Sequence, residues 1–286
     1  MKKLLRFLSL LLPLLVALAS VFAASFLYLM LHYQIYLSAA AIHGLLGNTD
    51  ISLEKVLIHL PAIPPYYLDA MTFLQPVIWI FIFYFWYRKL IKKDRKINRK
   101  ITSKDVMILV LVGLGCQLTI TGLMEIILPY FEELTKEYEE LMGLLNYGNP
   151  ILIFVSVVIL APVAEELIFR GVIFRQARGF MNVMLANFLQ ALLFGIFHMN
   201  LVQGLYAFGG GLALGYIAYK YGTIFAPILL HIFFNGLSYL LFTPQSLPMK
   251  IVFTVIGILI LILSLNMVHR RHGKEQEYES TGGITL

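Results

Sequence analysis

The sequence predicts an all-α protein, a polytopic transmembrane helical bundle of about eight spans. Three observations carry this. Of 286 residues, 59% are hydrophobic and only 13% are charged, whereas a soluble domain has roughly 45–50% apolar and about 25% charged residues. The apolar residues fall in long runs, and a spanning helix needs about 20 of them in succession. The lysines and arginines gather beside those runs, as on cytoplasmic membrane flanks, so the formal net charge of +6 does not point to nucleic acid. Strand pairs are not expected, because the runs are too long and an open sheet leaves backbone groups unsatisfied in lipid.

The elements follow in chain order. Lys2, Lys3 and Arg6 with the later "ALAS" resemble a signal peptide. The apolar run continues to Leu31, however, and a signal's apolar region is only about 7–15 residues. An uncleaved first span over Phe7–Leu31 is therefore predicted. Gln34–Asp69, with Pro61, Pro64 and Pro65, reads as an outer loop. Met71–Tyr87 is the second span, and the strongly basic "RKLIKKDRKINRK" (Arg88–Lys100) after it belongs in the cytoplasm. Val106–Tyr130 is the third span. In the acidic "FEELTKEYEELMGLL" (Phe131–Leu145), Phe131, Leu134, Tyr138, Leu141 and Leu145 recur at helical spacing. That pattern predicts a short amphipathic helix on the outer surface. The remaining spans are Pro150–Phe169, Val183–His198, Gly204–Tyr219, Ile224–Phe242 and Ile251–Val268.

An eight-span count places both termini in the cytoplasm, together with Arg175–Arg178, Lys220 and the tail "HRRHGKEQEYE". The expected location is the cell membrane. The chain divides into an N-terminal transmembrane region (1–148), a core (149–242), and a last helix with its tail (243–286). Cys116 is the only cysteine, so no intrachain disulfide can form. Its apolar surroundings favour a small core residue over a nucleophile. Gly211 and Gly215 in "GGGLALG" make a small-xxx-small pattern suited to close helix packing. Glu125 lies near the outer end of its span, where interfacial exposure accounts for it.

Ionisable groups in a bilayer each cost about 2.5–3.5 kcal/mol on insertion scales and mark function by default. "APVAEELIFRG" nevertheless carries Glu165, Glu166 and Arg170 in an apolar stretch. Neighbouring helical residues point about 100° apart, so the two glutamates cannot share a face. Glu166 and Arg170 are four apart and can pair, which leaves Glu165 as the carboxylate without a counter-ion. The plain alternative is a structural ion-pair network. "FGIFH" sets Phe194 and His198 on one face, and "HIFFN" does the same for His231 and Asn235. One helical histidine is usually a satisfied core residue; two on separate spans beside a carboxylate suggest chemistry. Such a set can hold a water, remove its proton with Glu, and stabilise an oxyanion or ligate Zn²⁺ with His and Asn. Depth counting at about 1.5 Å per residue expects this site in the cytoplasmic half. It requires Asn182, Asn187 and Gln190 to lie in the polar zone. Pro162, three residues before Glu165, is expected to bend its span.

"EELIFR" (Glu165–Arg170), "FGIFH" (Phe194–His198) and "HIFFN" (His231–Asn235) resemble the EExxxR, FxxxH and HxxxN/D motifs of the CPBP family. These are the CAAX-processing and bacteriocin-processing intramembrane proteases, also called the Abi family. All three motifs match in family order, and the resemblance covers about Asn149–Tyr239. It implies an all-helical intramembrane endopeptidase. Glu165 would be the general base, assisted by His198. His231 and Asn235 would form the oxyanion site, and Glu166, Arg170 and Phe194 would support them. Cofactor use stays open. Glu165, His198 and His231 could ligate Zn²⁺ at an open site, as the family's metalloprotease name suggests. Alternatively, Glu165 could activate water without metal, since no HExxH helix is present.

The expected function is hydrolysis of a membrane-associated peptide or protein: a CAAX-like tail, a bacteriocin or a signalling peptide. The expected partners are membrane lipid and that substrate, with no nucleic acid; oligomeric state stays open. Alternatives are a non-catalytic scaffold, regulator or bacteriocin-immunity protein, and a cation-coupled transporter. The transporter is disfavoured because paired broken helices in repeats are not found. Other protease classes fit poorly, with no intramembrane aspartate pair and no GxSxG; "NGLSYL" lacks its second glycine.

Overall fold

A computed structural model describes residues 2–45, 67–91, 100–144 and 148–272. All eight apolar runs are helical, and no strand occurs among the described residues. The helices are α1 (Lys2–Leu8), α2 (Leu12–Leu45), α3 (Tyr67–Ile91), α4 (Ser103–Ile127), α5 (Glu132–Gly143), α6 (Pro150–Arg178), α7 (Val183–Phe197), α8 (Leu201–Tyr221), α9 (Phe225–Leu240) and α10 (Leu247–His272). Six helical segments are long and apolar enough to cross a membrane, beginning with Leu5–Ile35. The chain is a multi-pass integral membrane protein. Two of the eight runs, α7 and α9, are shorter, with 15 and 16 residues.

Helix α2 continues to Leu45, so the expected outer loop starts later than Gln34. Its prolines, the central basic loop (92–99), Leu145 and most of the basic tail lie outside the described residues. The acidic stretch forms α5, as its periodicity requires. Its Tyr138 ring meets Tyr206 of α8 edge-on, with centroids 6.4 Å apart.

Backbone contact fixes two pairings. Helices α4 and α10 approach closely where Gly115 faces Leu261; a Cβ at Gly115 would lie 2.6 Å from the Leu261 nitrogen. Helices α7 and α8 form a hairpin whose connection turns at Met199, in a left-handed conformation at φ 56°. A Cβ at Gly195 would lie 2.6 Å from the Gly204 carbonyl oxygen, so only glycine permits this crossing. At the end bearing the basic residues, Thr102 and Asp105 form a capping box for α4. Arg271 of α10 donates to Asp105 at 2.6 Å, tying the two helix ends together.

Candidate active site

The centre of α6 departs from α-helical pitch. Ser156–Leu160 and Leu167–Phe174 are π-helical, on either side of the α-helical Ala161–Glu166. Single-turn π segments inside helices often accompany functional sites. In the first of them the Ala161 N–H donates to the Ser156 carbonyl, five residues back. The next bond in that register would run from residue 162 to the Val157 carbonyl. Residue 162 is proline, which has no N–H. Asn235 of α9 takes the place of the missing donor: its Nδ2 donates to the Val157 oxygen at 2.8 Å. Pro162 therefore opens an acceptor that positions Asn235.

The two glutamates are treated differently. Glu166 is fully buried, and its Oε1 accepts from Arg170 Nη1 at 2.7 Å. The same oxygen accepts from His231 Nδ1 at 2.8 Å. Arg170 also donates to the Gly211 carbonyl at 3.0 Å, and its guanidinium lies 4.6 Å from the Phe194 ring centroid. Glu165, about a quarter-turn away, faces a cavity. Its Oε2 lies 3.6 Å from His231 Nε2, too long for a hydrogen bond but close enough for one water to touch both. The ion pair expected from the i,i+4 spacing is present. The Glu166–His231 bond was not legible, because it joins residues 65 positions apart.

His231 is thus oriented by a carboxylate on Nδ1 and presents Nε2 towards Glu165. An ionised carboxylate oxygen only accepts, so Nδ1 carries a proton. His198 caps the C-terminus of α7, and its Nδ1 pairs with the Phe194 carbonyl at 2.8 Å. A carbonyl also only accepts, so His198 Nδ1 is protonated and Nε2 is the nitrogen available to a ligand. Both imidazoles lie edge-on to the Phe194 ring, at centroid distances of 4.8 and 5.8 Å.

Glu165, His198, His231 and Asn235 line one cavity of about 780 Å³. Its other walls are mostly apolar, including Ile120, Met124, Leu141, Leu214 and Phe234. Cys116, a buried core residue as expected, forms part of the wall, and so does Glu125. Lys250 pairs with Glu125 at 3.2 Å, so interfacial exposure alone does not account for this acid.

Asn187 and Gln190 are both engaged by helix α8. Gln190 is fully buried and donates to the Gly211 carbonyl at 2.9 Å, while Asn187 donates to Leu212 O at 3.0 Å. Gly215 makes room for both amides, which adds a purpose to the glycine pattern. Helix α7 starts at its Asn182 cap and keeps an exposed apolar face (Met184, Phe188, Ile196), and His198 sits at the helix end away from the basic residues. The cavity extends from there towards α5. Asn187 and Gln190 are the support residues that sequence reasoning missed; their only signal was two amides three positions apart in an apolar run.

No group of three or more His, Cys, Asp or Glu side chains arranged to hold a metal ion occurs among the described residues. Glu165, His198 and His231 share the cavity without forming such a set, although both histidines are held through Nδ1 and keep Nε2 for a ligand. As placed, the three side chains do not converge as a set of three metal ligands.

Residues 147–237 match the family model described as type II CAAX prenyl endopeptidase Rce1-like. This segment is a CAAX-protease family domain. It begins just before the Asn149 cap of α6 and ends two residues after Asn235, so the CAAX-protease domain contains Glu165, Glu166, Arg170, Phe194, His198, His231 and Asn235, while α4 and α5 supply part of the cavity wall. The chain therefore carries the domain of an intramembrane endopeptidase family. No curated protein and no solved structure matches the chain.

Proposed function

We propose that this protein hydrolyses a peptide bond in a membrane-associated peptide or protein, with Glu165 as the general base. One observation carries the reading: of two adjacent glutamates, Glu166 is held by Arg170 and His231, while Glu165 faces the cavity beside His231 Nε2. A water between them gives its proton to Glu165, and the hydroxide adds to the scissile carbonyl carbon. His198, held by its Nδ1–H, offers Nε2 to orient that water. The second N–H of Asn235 and a protonated His231 Nε2 donate to the oxyanion. A proton on His231 brings the group of Glu165, Glu166, Arg170 and His231 to zero net charge, so the oxyanion is met without excess buried charge. The tetrahedral intermediate collapses as Glu165 returns its proton to the departing amine. Each such acid–base role contributes about 10²–10⁴-fold to rate.

The family model is named for prenylated CAAX tails. The apolar walls suit such a tail, a bacteriocin or a signalling peptide. The deciding experiment compares cells expressing wild type and Glu165→Gln, with peptides followed by mass spectrometry. Fragments that vanish in Glu165→Gln identify the substrate. Identical peptide profiles at equal protein levels would leave a scaffold or immunity role.

A further inference from the structure

Every helix that lines the cavity does so with the same half. Helix α4 contributes residues from Cys116 onwards, α8 from Gln203 to Leu214, α9 from Leu230 to Tyr239, and α6 Val157, Ala161 and Glu165. All of these lie between the level of Glu165 and the end of the bundle that carries α5. Helix α5 itself closes the cavity over with Tyr138, Leu141 and Met142. The other half of the bundle is filled. Leu109, Phe169, Val172, Ile173, Ile217 and Ala226, between Glu166 and the basic end, are all 0% exposed. A peptide cannot pass through that layer without unpacking it.

The two ends also differ in charge. Arg88, Lys89, Lys104, Arg175, Arg178, Lys220, Arg270 and Arg271 lie at helix ends on the filled side. The ends meet there: Arg271 bonds Asp105, the His272 ring packs tilted against Tyr221, and Arg175 lies over Tyr87. Helix α5, on the cavity side, carries five glutamates and one lysine. Basic flanks mark the cytoplasmic side.

We infer that substrate reaches Glu165 from the non-cytoplasmic side, through the cavity roofed by α5, so that the cleaved bond belongs to an apolar peptide segment presented on that side. This rests on the protease reading and narrows it. A cytoplasmic chain end would meet the close-packed half, whereas a secreted peptide or a membrane-emerging segment meets the cavity mouth. Helix α5 is the element that must yield, and its Tyr138–Tyr206 contact is the seam.

The test uses full-length protein in sealed vesicles of both orientations and a membrane-impermeant maleimide. Leu141→Cys and Ser238→Cys, each with Cys116→Ala, probe the cavity wall; Gly179→Cys probes the basic face. The first two should label in right-side-out vesicles and be protected in inverted ones, with Gly179→Cys the reverse. Cavity cysteines that label only in inverted vesicles overturn the inference, whatever the activity. In parallel, two single-span reporters carry one apolar juxtamembrane segment on opposite sides, co-expressed with wild type or Glu165→Gln. Cleavage of only the non-cytoplasmic reporter, lost in Glu165→Gln, supports the inference; cleavage of only the cytoplasmic reporter overturns it. If neither is cleaved, the protease reading fails while labelling still decides the side of access.

Discussion

Replacing Arg170 by methionine tests the central energetic claim about the site. The side chain is fully buried and lies among fully buried neighbours. The substitution keeps much of the apolar volume. It removes the 2.7 Å bond to Glu166, the 3.0 Å bond to Gly211 O and the cation over Phe194. Glu166, itself 0% exposed, is then a buried carboxylate whose one remaining neutralising partner is His231. Breaking a buried ion pair in this way costs about 3–5 kcal/mol. The cation–π contact adds about 0.5–2 kcal/mol. The double variant Glu166→Gln/Arg170→Met leaves no buried charge at this point, and should recover a large part of that loss. Equilibrium unfolding in detergent, read by tryptophan fluorescence, measures all four corners of the cycle. Strict additivity, or an Arg170→Met protein within about 0.5 kcal/mol of wild type, the usual range of a surface change, would refute the reasoning.

Four further outcomes are expected. Purified Glu165→Gln should retain the wild-type unfolding midpoint and lose about 10²–10⁴-fold in turnover; an active Glu165→Gln beside a folded but inactive Glu166→Gln would reverse the two roles. Asn235→Ala should lower activity and also loosen α6 against α9, because Val157 O then lacks its donor; faster hydrogen exchange around residues 157–162 is the readout, and unchanged exchange counts against that link. Gly257→Val places side-chain atoms against the backbone of Thr119 and should destabilise the α4–α10 pair by about 1–3 kcal/mol or more, visible as a lower unfolding midpoint. Treatment with a strong zinc chelator should leave turnover unchanged, because the site residues do not group as three metal ligands among the described residues; loss restored by added Zn²⁺ would show that they regroup around metal.

Much of the fold was legible because lipid imposes a simple rule. A chain that must satisfy its backbone internally over about 30 Å writes each span as a long apolar run. Seven intervals of eight runs, and the amphipathic α5 between them, needed no tertiary knowledge. The motif residues were legible for the converse reason. A charge is costly in lipid, so Glu165, Glu166, Arg170, His198 and His231 stand out against their neighbours, and i,i+4 spacing showed the Glu166–Arg170 pair. The partners of Asn187 and Gln190 were not legible, because an amide near a helix start looks alike whether it meets headgroups or the carbonyls of Gly211 and Leu212. Hydropathy records how polar a residue is, not what it faces.

The sequence by itself determined that this is a helical membrane protein, which face of each motif helix is polar, and which carboxylate of the adjacent pair lacks its own counter-ion. Those properties depend on composition and on the 3.6-residue period, and both are local. Only the tertiary structure decided that Glu166 also orients His231, that Asn235 meets the carbonyl opened by Pro162, and that the cavity runs towards α5 while the basic half is filled. Each of these joins residues from different helices. Their relation is set by how side chains of unlike size interlock across a crossing, as at Gly195 and Gly204, and no periodicity along one chain encodes the distance between two.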